Sequence, residues 1–225
     1  MLDILFRDEY LIAINKPHDL LVHRSPIAAD AEEFALQLLR DQVGQKVNPV
    51  HRLDRKTGGV LLFAFSKPVE IAMQKQFSDN LVGKKYLAIV RGHTLDNGDI
   101  DYPLRKENGT SQEAFTTYRT LKRAELDVAF GKHPTSRYSL VEAKPATGRM
   151  HQLRKHFSHI FHPIIGDRTH GCNKQNKLFK EKWGMSTMLL HASSLTFMHP
   201  ISGDCITIDA PLQQEFIRIM ELMGW

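Results

Sequence analysis

The chain has 225 residues, 42% hydrophobic and 24% charged, with a formal net charge of +5. That composition can bury a full core and is not that of a disordered chain, and no run of about 18 apolar residues is present to span a membrane as a helix. Two cysteines, Cys172 and Cys205, make no disulfide framework, and the first residues lack a basic stretch and a small-residue cleavage site. A reducing, cytoplasmic setting is the expectation.

The short apolar runs Ile4 to Arg7 and Tyr10 to Asn15 predict the first two strands, the second stopped by Pro17. Ala31 to Val43 reads as a helix with Phe34, Leu38 and Leu39 on one face and Gly44 as its stop. Gly59 to Phe65 (GVLLFAF) is a continuous apolar run, as expected of a strand buried on both faces. Ser66 then reads as an N-cap and Pro68 as a first-turn residue of a helix reaching about Asn80. Lys85 to Val90 is a further strand, followed by a turn-rich stretch at Asp96 to Asp99. Strands are predicted again at Thr116 to Leu121, Ser139 to Ala143, Leu189 to Phe197 and Cys205 to Ile208, and a last helix at Leu212 to Met223. Helices and strands mix without a regular βαβ alternation, so the expected fold class is α+β with a largely antiparallel sheet.

Charge is unevenly placed. Residues 130–182 hold 11 Lys or Arg against Glu142, Asp167 and Glu181, a local +8, while the rest of the chain is −3. A polyanion partner, nucleic acid first, is one reading and a solubilising surface is the other; charge alone does not separate them.

The densest polar cluster, His51-Arg52-Leu53-Asp54-Arg55-Lys56-Thr57-Gly58-Gly59, runs straight into the apolar strand. Loops carried by a rigid strand are common homes for reactive groups, and the surrounding cations favour an ionised Asp54, suited to act as nucleophile or base. A turn-forming aspartate paired to Arg52 or Arg55 fits the same spacing. In the second cluster, Thr147 to His156, a helix starting at Arg149 would bury Met150, Leu153, Phe157 and Ile160 and put Arg154 on the flank of that stripe. An arginine there calls for an anion, either a carboxylate from elsewhere in the chain or a phosphate, unless it snorkels to water.

Histidines 151, 156, 159 and 162 match no metal-ligand pattern and read as half-exposed helix residues, so no metal is expected. No GxGxxG or GxxxxGK[ST] run occurs, so no nucleotide cofactor is expected either. Tyr86, in Lys84-Lys85-Tyr86, reads either as a strand core residue or as a ring that stacks on a base while the lysines hold phosphate.

At HRLDRKTGG the sequence resembles the RluA family of pseudouridine synthases. The resemblance extends through Asn15-Lys16-Pro17 with His23, Lys85-Tyr86, Thr147 to His156, His162 to Asp167, and Leu190-His191-Ala192, in order over most of the chain. It implies a bent, mixed, largely antiparallel sheet with flanking helices and a central RNA-binding cleft, forming a single catalytic domain over residues 1–225 with no S4 module. It further implies that Asp54 is the catalytic aspartate, that Arg154 pairs with it, and that Tyr86 packs on the target uracil. Arg52 would fill the space left by the flipped nucleotide, with His51, Arg55, Lys85, Arg149 and His151 around the substrate.

The runs MLDIL, NKPHDLLVHRS and HPIIGDRTHG are similar to a tRNA-modifying branch of the family. They imply uridine 65, in the T stem, as target, with RNA as partner, no cofactor and a monomeric state. The same chemistry on 23S rRNA and a non-catalytic RNA-binding module are the alternatives. Two positions depart from the family pattern: Gly58 stands where a serine is common, and Asp19 where a glycine is common after the NKP triplet.

Overall fold

A computed structural model describes residues 1–23, 33–106 and 108–225. Its elements are mostly antiparallel strands with five helices among the described residues, in two compact units between which the chain alternates. Residues 1–84 and 192–211 form the first unit, and 85–191 with 212–225 the second.

In the first unit, β1 (Asp3–Arg7) pairs with β2 (Leu11–Lys16), and β2 with β4 (Gly58–Ala64) in a register running from Leu11↔Ala64 to Lys16↔Gly59. The short β3 (Asn48–Pro49) also lies on β4. All seven β4 residues are buried, as its unbroken apolar run requires. Alternate residues Val60, Leu62 and Ala64 join Leu11, Ala13, Val69, Met73, Leu195 and Phe197 in one core. Helix α1 (Ala35–Val43) ends at Gly44 with φ 70°, the expected stop. The predicted start of that helix at Ala31 and the last residues of the NKPHDLLVHRS run lie outside the described residues. Helix α2 (Lys67–Ser78) has Ser66 at its N-cap position and a proline in its first turn, but the Ser66 side chain makes no capping bond.

In the second unit, β5 (Gly83–Arg91) pairs with β10 (Ser136–Pro145), β10 with β9 (Phe115–Leu126), and β9 with β6 (Asn97–Asp101), all antiparallel. Alternation along the strands loads both faces. Ala88, Val90, Val141 and Ala143 face Leu153 and Phe157 of α3 (Gln152–His159). Ile89, Tyr138 and Leu140 face Phe179 of α4 (Asn173–Trp183) and Phe216 and Ile219 of α5 (Gln214–Leu222). A small hairpin, β7 (Leu104–Arg105) and β8 (Ser111–Gln112), and the pair β11 (Leu190–Met198) and β12 (Cys205–Asp209) complete the list of strands.

Three expectations are corrected. The stretch expected to be a turn at Asp96 to Asp99 leads into β6, whose polar sequence NGDID hid a strand held by β9. Helix α4 was not foreseen, because in NKQNKLFKEKW only Gln175 and Phe179 are buried and no apolar stripe shows. Helix α3 begins at Gln152 rather than Arg149, which leaves Met150 46% exposed and out of the buried stripe.

Candidate active site

The loop that carries Asp54 is built by two constraints. At its C-terminal end Gly59 adopts φ 109°, and a Cβ there would stand 2.1 Å from the Ala192 carbonyl oxygen, so only glycine lets these backbones close. Gly58 does not share that positive φ, which is why this position tolerates either glycine or serine. Across the loop, Thr57 N–H donates to the Asp54 carbonyl at 3.0 Å, closing a tight turn with the half-buried Asp54 at its head.

The second constraint is Lys16. Placed opposite Gly59 at the end of β2, it is fully buried, and its ammonium donates to the carbonyls of Pro17 and Leu20, both at 2.8 Å, and of Arg55 at 3.0 Å. Burial pushes its pKa down to about 7, with the negative charges of Asp19 and Asp54 opposing the shift. The turn after Pro17 is latched to the same loop by three more contacts. Arg55 Nε donates to the Asp19 carbonyl at 3.1 Å, His18 Nδ1 lies 2.7 Å from the Lys56 carbonyl, and the Lys56 ammonium is 3.7 Å from the Asp19 carboxylate. Asp19 itself has φ 64°, a left-handed conformation that glycine takes freely and aspartate tolerates. That accounts for the departure at this position.

His51 turns into the first unit. Its Nε2 accepts the Leu62 N–H at 3.0 Å, and its ring stacks on Phe77 at 4.7 Å between centroids. Burial lowers its pKa to about 4, so the ring is neutral. These contacts tie the His51 ring to β4 and α2. Arg52 and Arg55 are exposed on the loop.

In the second unit, Tyr86 pairs with Ala143 across the sheet and lies partly buried against the cluster that includes Leu153 and Phe157. One strand and one helix thus share a core that fixes both Tyr86 and the helix bearing Arg154. The neighbouring Lys85 is exposed. Arg154 is 9% exposed, and one anion on it is Asp167: Nε and Nη2 each donate to one carboxylate oxygen at 2.8 Å. The flank position read from the sequence therefore holds, with a carboxylate 13 residues further along as partner.

Asp167 also accepts the amides of Thr169 and His170 at 2.9 and 3.1 Å. Burial pushes its carboxyl up, but the Arg154 guanidinium and those amides outweigh it and hold the pKa below the usual carboxylate value. Gly166, at φ 84° and packed on the Thr187 carbonyl, admits no side chain, and the amide of Asn176 in α4 donates to the Asp167 carbonyl at 2.7 Å.

The start of α3 is organised by Gln152, whose carbonyl accepts from the Thr147 hydroxyl and the Arg149 amide and whose amide donates to Phe115 and Thr116. Arg149 Nε donates to the Glu113 carbonyl. His151 has φ 57°, and its Nδ1 lies 2.9 Å from His170 Nε2. The expectation of half-exposed helix histidines fails at His156, which is fully buried between the Thr116 hydroxyl and the Tyr102 carbonyl. Beside this region Arg105, Lys106, Asn108, Arg149, Met150 and Lys155 line a cavity of about 370 Å³.

Lys16 and Asp167 are site residues that sequence reasoning does not single out beyond their place in family runs. Each carried its own signal: a lysine ending an otherwise apolar strand, and one of three acids in a segment of 11 cations.

Residues 10–159 match the family of RNA pseudouridylate synthases, and the chain belongs to that family. It is therefore an isomerase of the pseudouridine synthase class. It is 47% identical to tRNA pseudouridine synthase C of Haemophilus ducreyi, over all of this chain and 96% of that protein. It is 44% identical to tRNA pseudouridine synthase C of Vibrio cholerae, over all of this chain and 97% of that one. Among solved structures, human RNA pseudouridylate synthase domain containing 4 superposes with TM-score 0.75 at 25% identity, covering 99% of this chain and 93% of that one. Human RNA pseudouridylate synthase domain containing 1, at 23% identity and TM-score 0.75, covers 100% and 95% and shares the fold.

Proposed function

We propose that this protein converts a uridine of tRNA to pseudouridine, at uridine 65 of the T stem, with Asp54 as the catalytic carboxylate. The observation that carries this reading is the double fixing of the Asp54 loop, by the Gly59 closure at one end and the buried Lys16 beneath it. A turn-forming aspartate alone needs neither. The tRNA substrate rests on the full-length likeness to the two tRNA pseudouridine synthase C proteins.

In the reaction the uridine is flipped from its stem, the N1–C1′ bond breaks, the uracil turns, and C5 bonds to C1′. The C5 proton is lost to a base and N1 gains a proton, so the product is an isomer and no oxidant or reductant is needed. Asp54 acts on the sugar, the Tyr86 ring holds the detached uracil, and Arg154, oriented by Asp167, supplies positive charge. Arg52 fills the vacated stack, while Arg55, Lys85, Arg149 and His151 lie along the RNA. Arg105, Lys106, Arg149 and Lys155 in the cavity beside α3 hold backbone phosphates.

Tritium release from tRNA labelled at uracil C5 tests the chemistry. Wild type releases tritium and Asp54→Ala does not; release by Asp54→Ala at the wild-type rate overturns the assignment. Mapping pseudouridine in tRNA and rRNA of a deletion strain tests the target, and loss of an rRNA site with the tRNA intact would replace tRNA by 23S rRNA.

A further inference from the structure

Four residues other than glycine have positive φ among the described residues: Asp19, Asn80, His151 and Phe161. Aspartate, asparagine and histidine are the side chains that tolerate this conformation, whereas a bulky aromatic there is an outlier. Phe161 has φ 63° because it ends α3 in a Schellman turn. Its N–H donates to the Ser158 carbonyl at 3.1 Å, and the next N–H, of His162, donates to Phe157 at 2.9 Å. This position normally takes glycine. Strain of this kind is offset when the side chain is buried, but the Phe161 ring is 87% exposed. Its backbone is strained and its apolar surface is exposed, so nothing among the described residues compensates for a phenylalanine here.

The stretch of sequence that holds Phe161 is rich in rings and cations. The same end of α3 carries the exposed His159, whose ring stacks on the 40% exposed Tyr102 at 3.6 Å and 17°. Both Phe161 and His159 lie within the +8 stretch 130–182. Exposed rings in a basic stretch suit single-stranded RNA, because every base has a face to stack and every nucleotide a phosphate to neutralise.

We propose that Phe161 is an RNA contact, its ring stacking on an unpaired base of the substrate at the C-terminal end of α3. The inference rests on the reading of this protein as an RNA-modifying enzyme and names one contact that such an enzyme makes.

Phe161→Gly separates the two demands on this position. Relieving the left-handed strain leaves the melting temperature unchanged or raised by about 2 °C. Loss of the ring raises the KM and the Kd for an unmodified tRNA transcript about ten-fold, with little change in kcat. Phe161→Tyr keeps the stacking face and stays within about two-fold of wild type. An unchanged KM and Kd in Phe161→Gly overturn the proposal, as does a marked fall in melting temperature, which would show that the ring packs on its own chain. A wild-type dimer that Phe161→Gly dissociates would also overturn it, assigning the ring to a second copy. Failure of the wild type to modify any RNA would refute the underlying reading instead.

Discussion

Lys16→Met is the substitution whose consequence can be worked furthest. A fully buried ammonium with three N–H donors meets three carbonyls, so its cage fits the charged form, while burial lowers its pKa from 10.5 to about 7. Below pH 7 the lysine is protonated in both folded and unfolded chains. Between about 7 and 10.5 the unfolded chain holds the proton and the folded chain does not, so stability rises with pH through this window. The slope is about 1.4 kcal/mol per pH unit for this one group, or about 5 kcal/mol over the whole window. Lys16→Met lacks that term, and it leaves the Pro17, Leu20 and Arg55 carbonyls without this donor at a cost that does not vary with pH, about 1–3 kcal/mol each. Urea unfolding of both proteins at intervals from pH 6 to 9.5 isolates the effect, since every other titrating group cancels in the difference. Wild type should gain on the variant by about 3 kcal/mol between pH 7 and 9.5. A difference that stays flat over that range would refute the lowered pKa of Lys16.

The Arg154–Asp167 pair should behave as a buried bidentate bridge. Arg154→Met alone strands the carboxylate and costs about 3–5 kcal/mol in thermal or urea unfolding, whereas Arg154→Met with Asp167→Leu recovers a large part of it, and strict additivity would show that the two are not coupled. Gly59→Ala puts a Cβ on the Ala192 carbonyl at φ 109° and should cost more than about 3 kcal/mol or prevent folding, while Gly44→Ala, in the left-handed helical region at φ 70° with open space, should cost about 1–2 kcal/mol. Replacing Arg105 and Lys106 together by Ala should flatten the dependence of log tRNA affinity on log salt by about 1.8, and an unchanged slope would remove the cavity beside α3 from the RNA path.

How far the sequence led depended on whether a feature was local. Strand β4 was legible because burial on both faces writes an unbroken apolar run, and the α1 stop because a left-handed residue after a helix is written as glycine. Strand β6 and helix α4 were not, because their places are set by β9 and by a few contacts such as Phe179, with no periodicity of their own. In the candidate site the loop sequence singled out Asp54 and the helical spacing singled out the flank of Arg154. The pairing of Asp167 with Arg154 could not be read, since a 13-residue gap says nothing about two oxygens meeting one guanidinium until Gly166 and Asn176 turn the chain back. The place of His51 in a polar run gave no sign that its ring accepts the Leu62 amide of β4.

The same geometry divides the charge of residues 130–182 into portions with different uses. Its three acids are all taken: Asp167 by Arg154 in the interior, Glu142 by Arg119 and Lys144 at 3.7 and 3.6 Å, and Glu181 by Lys177 at 3.6 Å. Arg154 is the cation turned inward, and a buried bidentate pair makes no contribution to long-range attraction. Part of the outward excess, +3 of the +8, sits on α4, where Lys174, Lys177, Lys180 and Lys182 are exposed beside the single Glu181. The helix that sequence patterning could not see therefore carries a share of the charge that composition could. Steering a polyanion depends on charge at the surface and not on periodicity, so an element with only two buried residues is well suited to supply it.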